Sequence, residues 1–142
     1  MFRRSPSGLE VFLVHPGGPF WRKKDLGAWS IPKGEVSKNE EPFQAALREF
    51  SEETGIAPVE PFIDLGDVRQ RSGKIVWAWA FENDCSPTIQ SNSFSMEWPL
   101  RSGRLQEFPE VDRGEWFSIQ DARKRINERQ SVFLKRLSRA LS

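Results

Sequence analysis

Cysteine is almost missing from this chain: Cys85 is the only one in 142 residues. A single thiol excludes an intramolecular disulfide and a multi-cysteine zinc site, and such usage suits a reducing cytoplasm. A dominant charge is missing as well. The formal net charge is +1, so no global field draws the chain to nucleic acid or to membranes. Any affinity for anions has to come from a local arrangement. Also absent is a long apolar run: residues 9–14 are interrupted by Glu10 and end at His15-Pro16, so neither an export signal nor a membrane span is expected. The apolar fraction is not low, since 37% hydrophobic and 29% charged residues match a folded globular protein and not a disordered one. With no repeat, low-complexity tract or linker, residues 1–142 fit one domain around one core.

What is present is strand and turn punctuation. Residues 9–14 are strand formers, and Pro16, Gly17, Gly18 and Pro19 enforce a loop that runs through Trp21-Arg22-Lys23-Lys24 to Trp29. Pro32-Lys33-Gly34 punctuates again before a segment that reads as helix over 41–54, stopped by Gly55. Ile63–Arg69 reads as a strand, 71–74 as a turn and 75–81 as another strand. Both faces of the latter are apolar, with Ile75, Trp77, Trp79 and Phe81 on one and Val76, Ala78 and Ala80 on the other, which predicts a central position in a sheet. Residues 82–109 are rich in Ser, Asn, Pro and Gly and too long for a simple hairpin turn, so they form a candidate substrate-facing insertion. Val111–Ser118 reads as the last strand and the tail from Ile119 as helical. Strands mixed with one central and one terminal helix predict an α/β sandwich.

The informative segment is the central helix with its lead-in. At about 100° per residue, Phe43, Ala46, Leu47 and Phe50 fall on one stripe, while Glu49, Glu52 and Glu53 gather on a neighbouring one. Like charges at these spacings repel, and the repulsion grows where a sheet or a substrate excludes water. A divalent cation reverses that penalty, and all-oxygen ligands suit Mg2+, with Mn2+ as an alternative, held together with substrate phosphates and water. Taken alone, the same glutamates also read as a solvated helix face in which Arg48 pairs with Glu52.

The flanking residues decide between the two. Gly34, Glu40, Arg48, Glu49, Phe50, Glu52, Glu53, Gly55 and Ile56 spell G-x5-E-x7-R-E-U-x-E-E-x-G-U, where U is a bulky apolar residue, without a mismatch. By this pattern the chain resembles the Nudix hydrolases. The resemblance implies an α/β/α sandwich with a mixed sheet, the box helix on one side and a C-terminal helix. It implies that Glu49, Glu52 and Glu53 bind divalent metal together with the main chain at Gly34, that one of these or a nearby acid helps to activate water, and that Glu40 and Arg48 support the helix. Many members place another glutamate a few residues before a Trp-containing strand; Glu110 matches that placement, with Glu107, Asp112 and Glu115 as weaker candidates. The expected reaction is hydrolysis of a phosphoanhydride bond in a nucleoside diphosphate linked to another group. Lys33, Arg22, Lys23 and Lys24 are suitable counter-charges for the phosphates.

Trp29-Ser30-Ile31-Pro32-Lys33-Gly34 is similar to the W-x-x-P-K-G lead-in of diadenosine polyphosphate hydrolases. The expected substrate is therefore a dinucleoside polyphosphate, with Lys33, Trp29, Arg22 and Lys24 as binding candidates. Two departures stand against it. The chain has no tyrosine to clamp adenine, leaving Phe20, Trp21, Phe94 or Trp98 to stack, and Glu35 replaces a histidine frequent in that subgroup. A nucleoside triphosphate or sugar nucleotide stays open, as does a nucleotide-sensing or RNA-binding module without turnover. Near-neutral charge weighs against nucleic acid as a partner, and monomer and homodimer are equally open. Family domains also carry a strand ahead of residues 9–14, for which only residues 1–5 remain, so that edge is expected to be short or missing.

Overall fold

The computed structural model describes residues 1–33, 39–86 and 88–142. Its first strand, β1 (Phe2–Ser5), pairs antiparallel with β2 (Gly8–Pro16), which pairs on its other side with β7 (Val111–Ser118). The N-terminal edge is thus short but present, anchored by the buried Phe2 ring. A second pair consists of β3 (Ile63–Arg69) and β4 (Ile75–Ala80). It meets the first sheet in parallel where the Phe2 amide donates to the Phe81 carbonyl at 3.0 Å and the Asn83 amide to the Phe2 carbonyl at 3.0 Å. The result is a mixed sheet.

The central position expected for residues 75–81 belongs to β2 instead. Val11, Phe12, Leu13, Val14 and His15 are all buried, as a strand covered on both faces requires. By contrast β4 meets β1 only beyond its C-terminal end, and Ile75 and Trp77 near its start stay open to solvent.

Helices cover both faces. Helix α1 (Pro42–Thr54) starts where Glu41 is held extended by the proline that follows it, and Pro42 occupies the first turn, where a missing N–H costs nothing. It stops at Gly55, whose φ of 72° is left-handed and whose amide donates to the Ser51 carbonyl at 2.9 Å. From α1, Phe43 meets Trp79 at 5.0 Å and Phe62 at 5.3 Å, and Phe50 meets Phe81 at 5.1 Å. On the opposite face α3 (Ser131–Ala140) brings Phe133, Leu134 and Leu137 into one cluster with Val76, Ala78 and Ala80 of β4. The architecture is an α/β/α sandwich. Among the described residues no helix is long and apolar enough to cross a membrane.

The tail is not one helix. After α2 (Ile119–Arg125) the chain turns extended at Ile126, because its backbone is taken up by the 28–30 segment. The Trp29 amide donates to the Arg125 carbonyl at 2.8 Å and the Asn127 amide to the Trp29 carbonyl at 2.6 Å. Tertiary hydrogen bonds here replace helical ones. Trp29 itself is 1% exposed, packed edge-on against Phe117 at 4.9 Å and His15 at 5.1 Å, with its Nε1–H donating to Asp25 at 2.7 Å. Its assignment to substrate binding is therefore corrected: the indole is part of the core and meets no solvent. Trp29→Ala is expected to cost about 3–5 kcal/mol, read as a lower midpoint in urea unfolding.

Candidate active site

Helix α1 hands its carboxylates to three different environments. Glu52 is exposed, with 55% side-chain accessibility, Glu49 keeps 14%, and Glu53 is 7% exposed as a residue. The separation expected between an apolar stripe and an acidic one is therefore incomplete, since the innermost acid lies at the edge of the packed face. Thr54 behind it is buried and donates its hydroxyl to the Phe50 carbonyl at 2.6 Å. The Glu53 carbonyl accepts from the Gln90 amide at 2.7 Å, which ties the chain after β4 to the end of the helix.

Glu53 Oε2 is buried and has no hydrogen-bond partner among the described residues. Burial, reinforced by the charges of Glu49 and Glu110, pushes its carboxyl up to about 7, and Lys33 pulls the other way. Buried polar atoms are paired in the great majority of proteins. A buried carboxylate oxygen without a partner among the described residues, under the repulsion of Glu49, Glu110 and Glu52, has the chemical character of a cation ligand. The donor set, all hard oxygens, fits a divalent metal of the magnesium type. Among the described residues no group of three or more His, Cys, Asp or Glu side chains converges closely enough to form a metal cage unaided. Gly34, the expected main-chain contributor, lies outside the described residues, as does Glu35.

Arg48 organises the charges on the outer side. Its guanidinium donates through Nε and Nη2 to the two oxygens of Glu40, both at 2.8 Å, and through Nη1 to Glu49 at 2.9 Å and Glu52 at 3.4 Å. The two-pronged contact to Glu40 is the geometry that only a planar guanidinium offers. It ties the chain just ahead of α1 to the middle of the helix. The same carboxylates hold the Arg48 pKa above its usual value, the Glu40 hydrogen bond contributing most.

Beside these acids opens a cleft of about 850 Å3. Glu49, Ala45 and Ala46 of α1 form one wall, Glu110 and Asn92 another, and Pro32 and Lys33 a third. The β3–β4 turn supplies Gln70 and Lys74, and the start of β4 supplies Ile75, Val76 and Trp77. Trp77 is 40% exposed, an apolar ring left open because α1 covers only Trp79 and Phe81 farther along the same face. Sequence reasoning missed Gln70, Lys74, Trp77 and Asn92. The available signal was a mismatch: three aromatic residues alternate on that face of β4, and the α1 side offers fewer partners than that.

Of the basic candidates, Lys33 lines the cleft, whereas Arg22 and Lys24 do not. Those two sit in an exposed loop, Lys24 with its ammonium 5.0 Å from the Trp21 ring centroid and its carbonyl 2.6 Å from His15 Nε2. Their assignment to the phosphate site is corrected accordingly, and Lys23 belongs to the same exposed loop. Among the candidate acids near Trp116, Glu110 lies in the cleft and raises the Glu53 pKa. Asp112 instead meets His15 Nδ1 at 2.9 Å, and Glu107 and Glu115 do not line the cleft.

With this geometry in place, comparison with known proteins gives the family. The NUDIX domain family model matches residues 3–137. The chain belongs to the Nudix family. Among solved structures it is similar to the binary complex of an Ap4A hydrolase from C. elegans, with TM-score 0.67 and 22% identity over 99% of this chain and 92% of the other. A MutT protein from Methanosarcina mazei gives TM-score 0.62 and 20% identity, covering 99% and 91%. Curated relatives match over a shorter stretch. An RNA pyrophosphohydrolase of Roseobacter denitrificans is 51% identical over 37 residues, 26% of this chain and 23% of that one. One of Azorhizobium caulinodans is 49% identical over 41 residues, 29% and 23%. The chain thus aligns with about a quarter of the length of the curated relatives it matches. Nudix hydrolases generally use divalent metal ions, in keeping with the oxygen-rich site found here.

Removing the buried charge of Glu53 tests whether it is a stability burden kept for a ligand. In chelator, Glu53→Gln should raise stability by about 1–3 kcal/mol, while the stabilisation that wild type gains from added Mg2+ should disappear. Both are read from thermal unfolding with and without the metal.

Proposed function

We propose that this Nudix chain is a pyrophosphohydrolase that cleaves a phosphoanhydride bond in a nucleoside diphosphate-linked substrate, with Mg2+ as its metal and dinucleoside polyphosphates as the favoured substrate class. The carrying observation is the cleft, where acids, lysines and an exposed aromatic ring face one volume of about 850 Å3. A nucleotide with a polyphosphate chain requires that combination: cations for the phosphates, a flat apolar surface for a base, and carboxylates at the bond to be broken.

The roles follow from position. Glu49, Glu52 and Glu53 would hold the metal, which when bound would polarise phosphoryl oxygens and lower the pKa of water. Mg2+ is commonly kept by a few carboxylates together with substrate phosphates and water, not by an all-protein cage. Lys33 and Lys74 offset the charge of the phosphates, and Trp77 offers its ring to a base. Glu110 stands on a different segment from the helix and is assigned as the general base that accepts the proton of the attacking water. Arg48 and Glu40 hold the helix against its lead-in, and Gly55 ends it.

The likeness to an Ap4A hydrolase over nearly the whole chain supports the favoured substrate class through the fold, and the Pro32-Lys33 part of the lead-in reaches the cleft. A second reading, pyrophosphohydrolysis of an RNA, is favoured by the short stretch shared with RNA pyrophosphohydrolases.

Product chromatography after incubation with diadenosine polyphosphates, nucleoside triphosphates, ADP-ribose, sugar nucleotides and 5′-triphosphorylated RNA tests the assignment. Chelator-sensitive cleavage of diadenosine tetraphosphate to ATP and AMP is the expected outcome; preference for another member of the panel would replace the substrate class, and cleavage that survives chelation would overturn the mechanism. Glu52→Gln and Glu53→Gln should each abolish turnover with the fold retained, as judged by circular dichroism. Glu110→Gln should lower kcat by about 10²–10⁴-fold with little change in KM.

A further inference from the structure

Residues 82–109 are not a featureless insertion. They contain a hairpin of β5 (Ser93–Glu97) and β6 (Leu105–Pro109), whose base ends in the cleft at Asn92 and Glu110. Five residues per strand at about 3.4 Å each place its tip roughly 17 Å from that base. Pro16–Pro19 lie against it so closely that a Cβ on Gly17 would overlap the Pro109 carbonyl, and one on Gly18 the Phe94 ring. This approach lets the following loop reach the tip, where Phe20 meets Trp98 edge-on at 5.6 Å.

The surface so formed is both aromatic and basic. Phe20 and Trp21 are exposed, and Leu100 at the tip is 61% exposed. Residues 20–24 and 98–104 together carry five cations, Arg22, Lys23, Lys24, Arg101 and Arg104, and no acid. All five are exposed. A net charge of +1 hides this concentration because it averages over the whole chain.

We infer that the hairpin tip and the 20–24 loop form a binding surface for single-stranded nucleic acid, joined by the length of the hairpin to the phosphate-hydrolysing cleft. Unstacked bases bind exposed aromatic rings without regard to sequence, and cations track the phosphates between them. A strand whose 5′ end enters the cleft passes along the hairpin toward the tip. This connection rests on the cleft taking a nucleotide polyphosphate; the binding surface itself does not. An anionic bilayer would meet Glu97 and Glu107, both exposed on the hairpin, and the repulsion would oppose flat docking. A single strand, being narrow, can touch the cationic tip and the 20–24 loop without lying flat on the hairpin body.

The test uses the full chain and a dye-labelled single-stranded RNA of roughly a dozen nucleotides with a 5′ hydroxyl, so that the probe has no polyphosphate for the cleft. Anisotropy should report binding that weakens with salt, with a log–log slope of about −3. The double variant Arg101→Glu with Arg104→Glu should lose at least about tenfold in affinity at 0.1 M salt and show a shallower slope. Phe20→Ala should lose about five- to tenfold, the contribution of one stacked base. Cleavage of the small dinucleotide substrate by the double variant should equal wild type, so that loss of hydrolysis and loss of RNA binding are read separately. RNA binding that is absent, or unchanged in both variants, overturns the inference. So does charge-reversal-sensitive binding to phosphatidylserine vesicles, or self-association, in the absence of RNA binding.

Discussion

Glu53 is held buried under the repulsion of three other carboxylates, Glu49, Glu52 and Glu110, and burial together with that repulsion raises its pKa. Much of the surrounding structure opposes that repulsion. Phe43 and Phe50 fasten α1 to the sheet through Trp79, Phe62 and Phe81, so the helix cannot rotate its acids away into solvent. Arg48 draws Glu40, Glu49 and Glu52 toward one guanidinium and leaves Glu53 to the inner side. Gly55 then ends the helix at once, which a residue with a side chain would do at the cost of a left-handed backbone. The fold spends packing energy to hold an acid whose oxygen finds no partner among the described residues. A buried charge of that kind is better explained by a ligand than by stability.

The legibility of the sequence follows the range of the interactions involved. The box helix was readable because its information is local: the spacing of the glutamates, the proline at its start and the glycine at its end act within a few turns. Strands Ile63–Arg69 and Val111–Ser118 were readable for the same reason, from alternation and flanking turn residues. The place of Trp29 in the core is not legible because a motif gives residue type and not burial; two main-chain hydrogen bonds and two ring contacts from distant segments enclose it, with a third hydrogen bond to nearby Asp25. Those same bonds broke the tail into α2 and α3, a division that no local signal at Ile126 announced. The cleft wall of Gln70, Lys74 and Trp77 comes from a turn brought beside α1 by sheet pairing, so no spacing could mark it. The hairpin in 82–109 was hidden because its strands are short, with two serines in β5, and Phe94, Met96 and Phe108 are a weak apolar signal.

Glu110 shows how the two kinds of information meet. Its position before a Trp-containing strand was legible, but its place in the cleft is set by main-chain bonds. The Glu110 amide donates to the Asn92 carbonyl at 2.8 Å, and its own carbonyl accepts from the Gly17 amide at 2.9 Å. Two residues on, Asp112 meets the buried His15. Backbone contacts thus fix the residue from both sides, which would hold its carboxylate in place for the proton transfer proposed for it. The same knot carries the hairpin, since Asn92 and Glu110 are its base and Gly17 opens the loop that docks on it. A change in the length or tilt of the hairpin would therefore be felt at Glu110, and the segment proposed to bind a single strand also positions an acid of the proposed catalytic cleft.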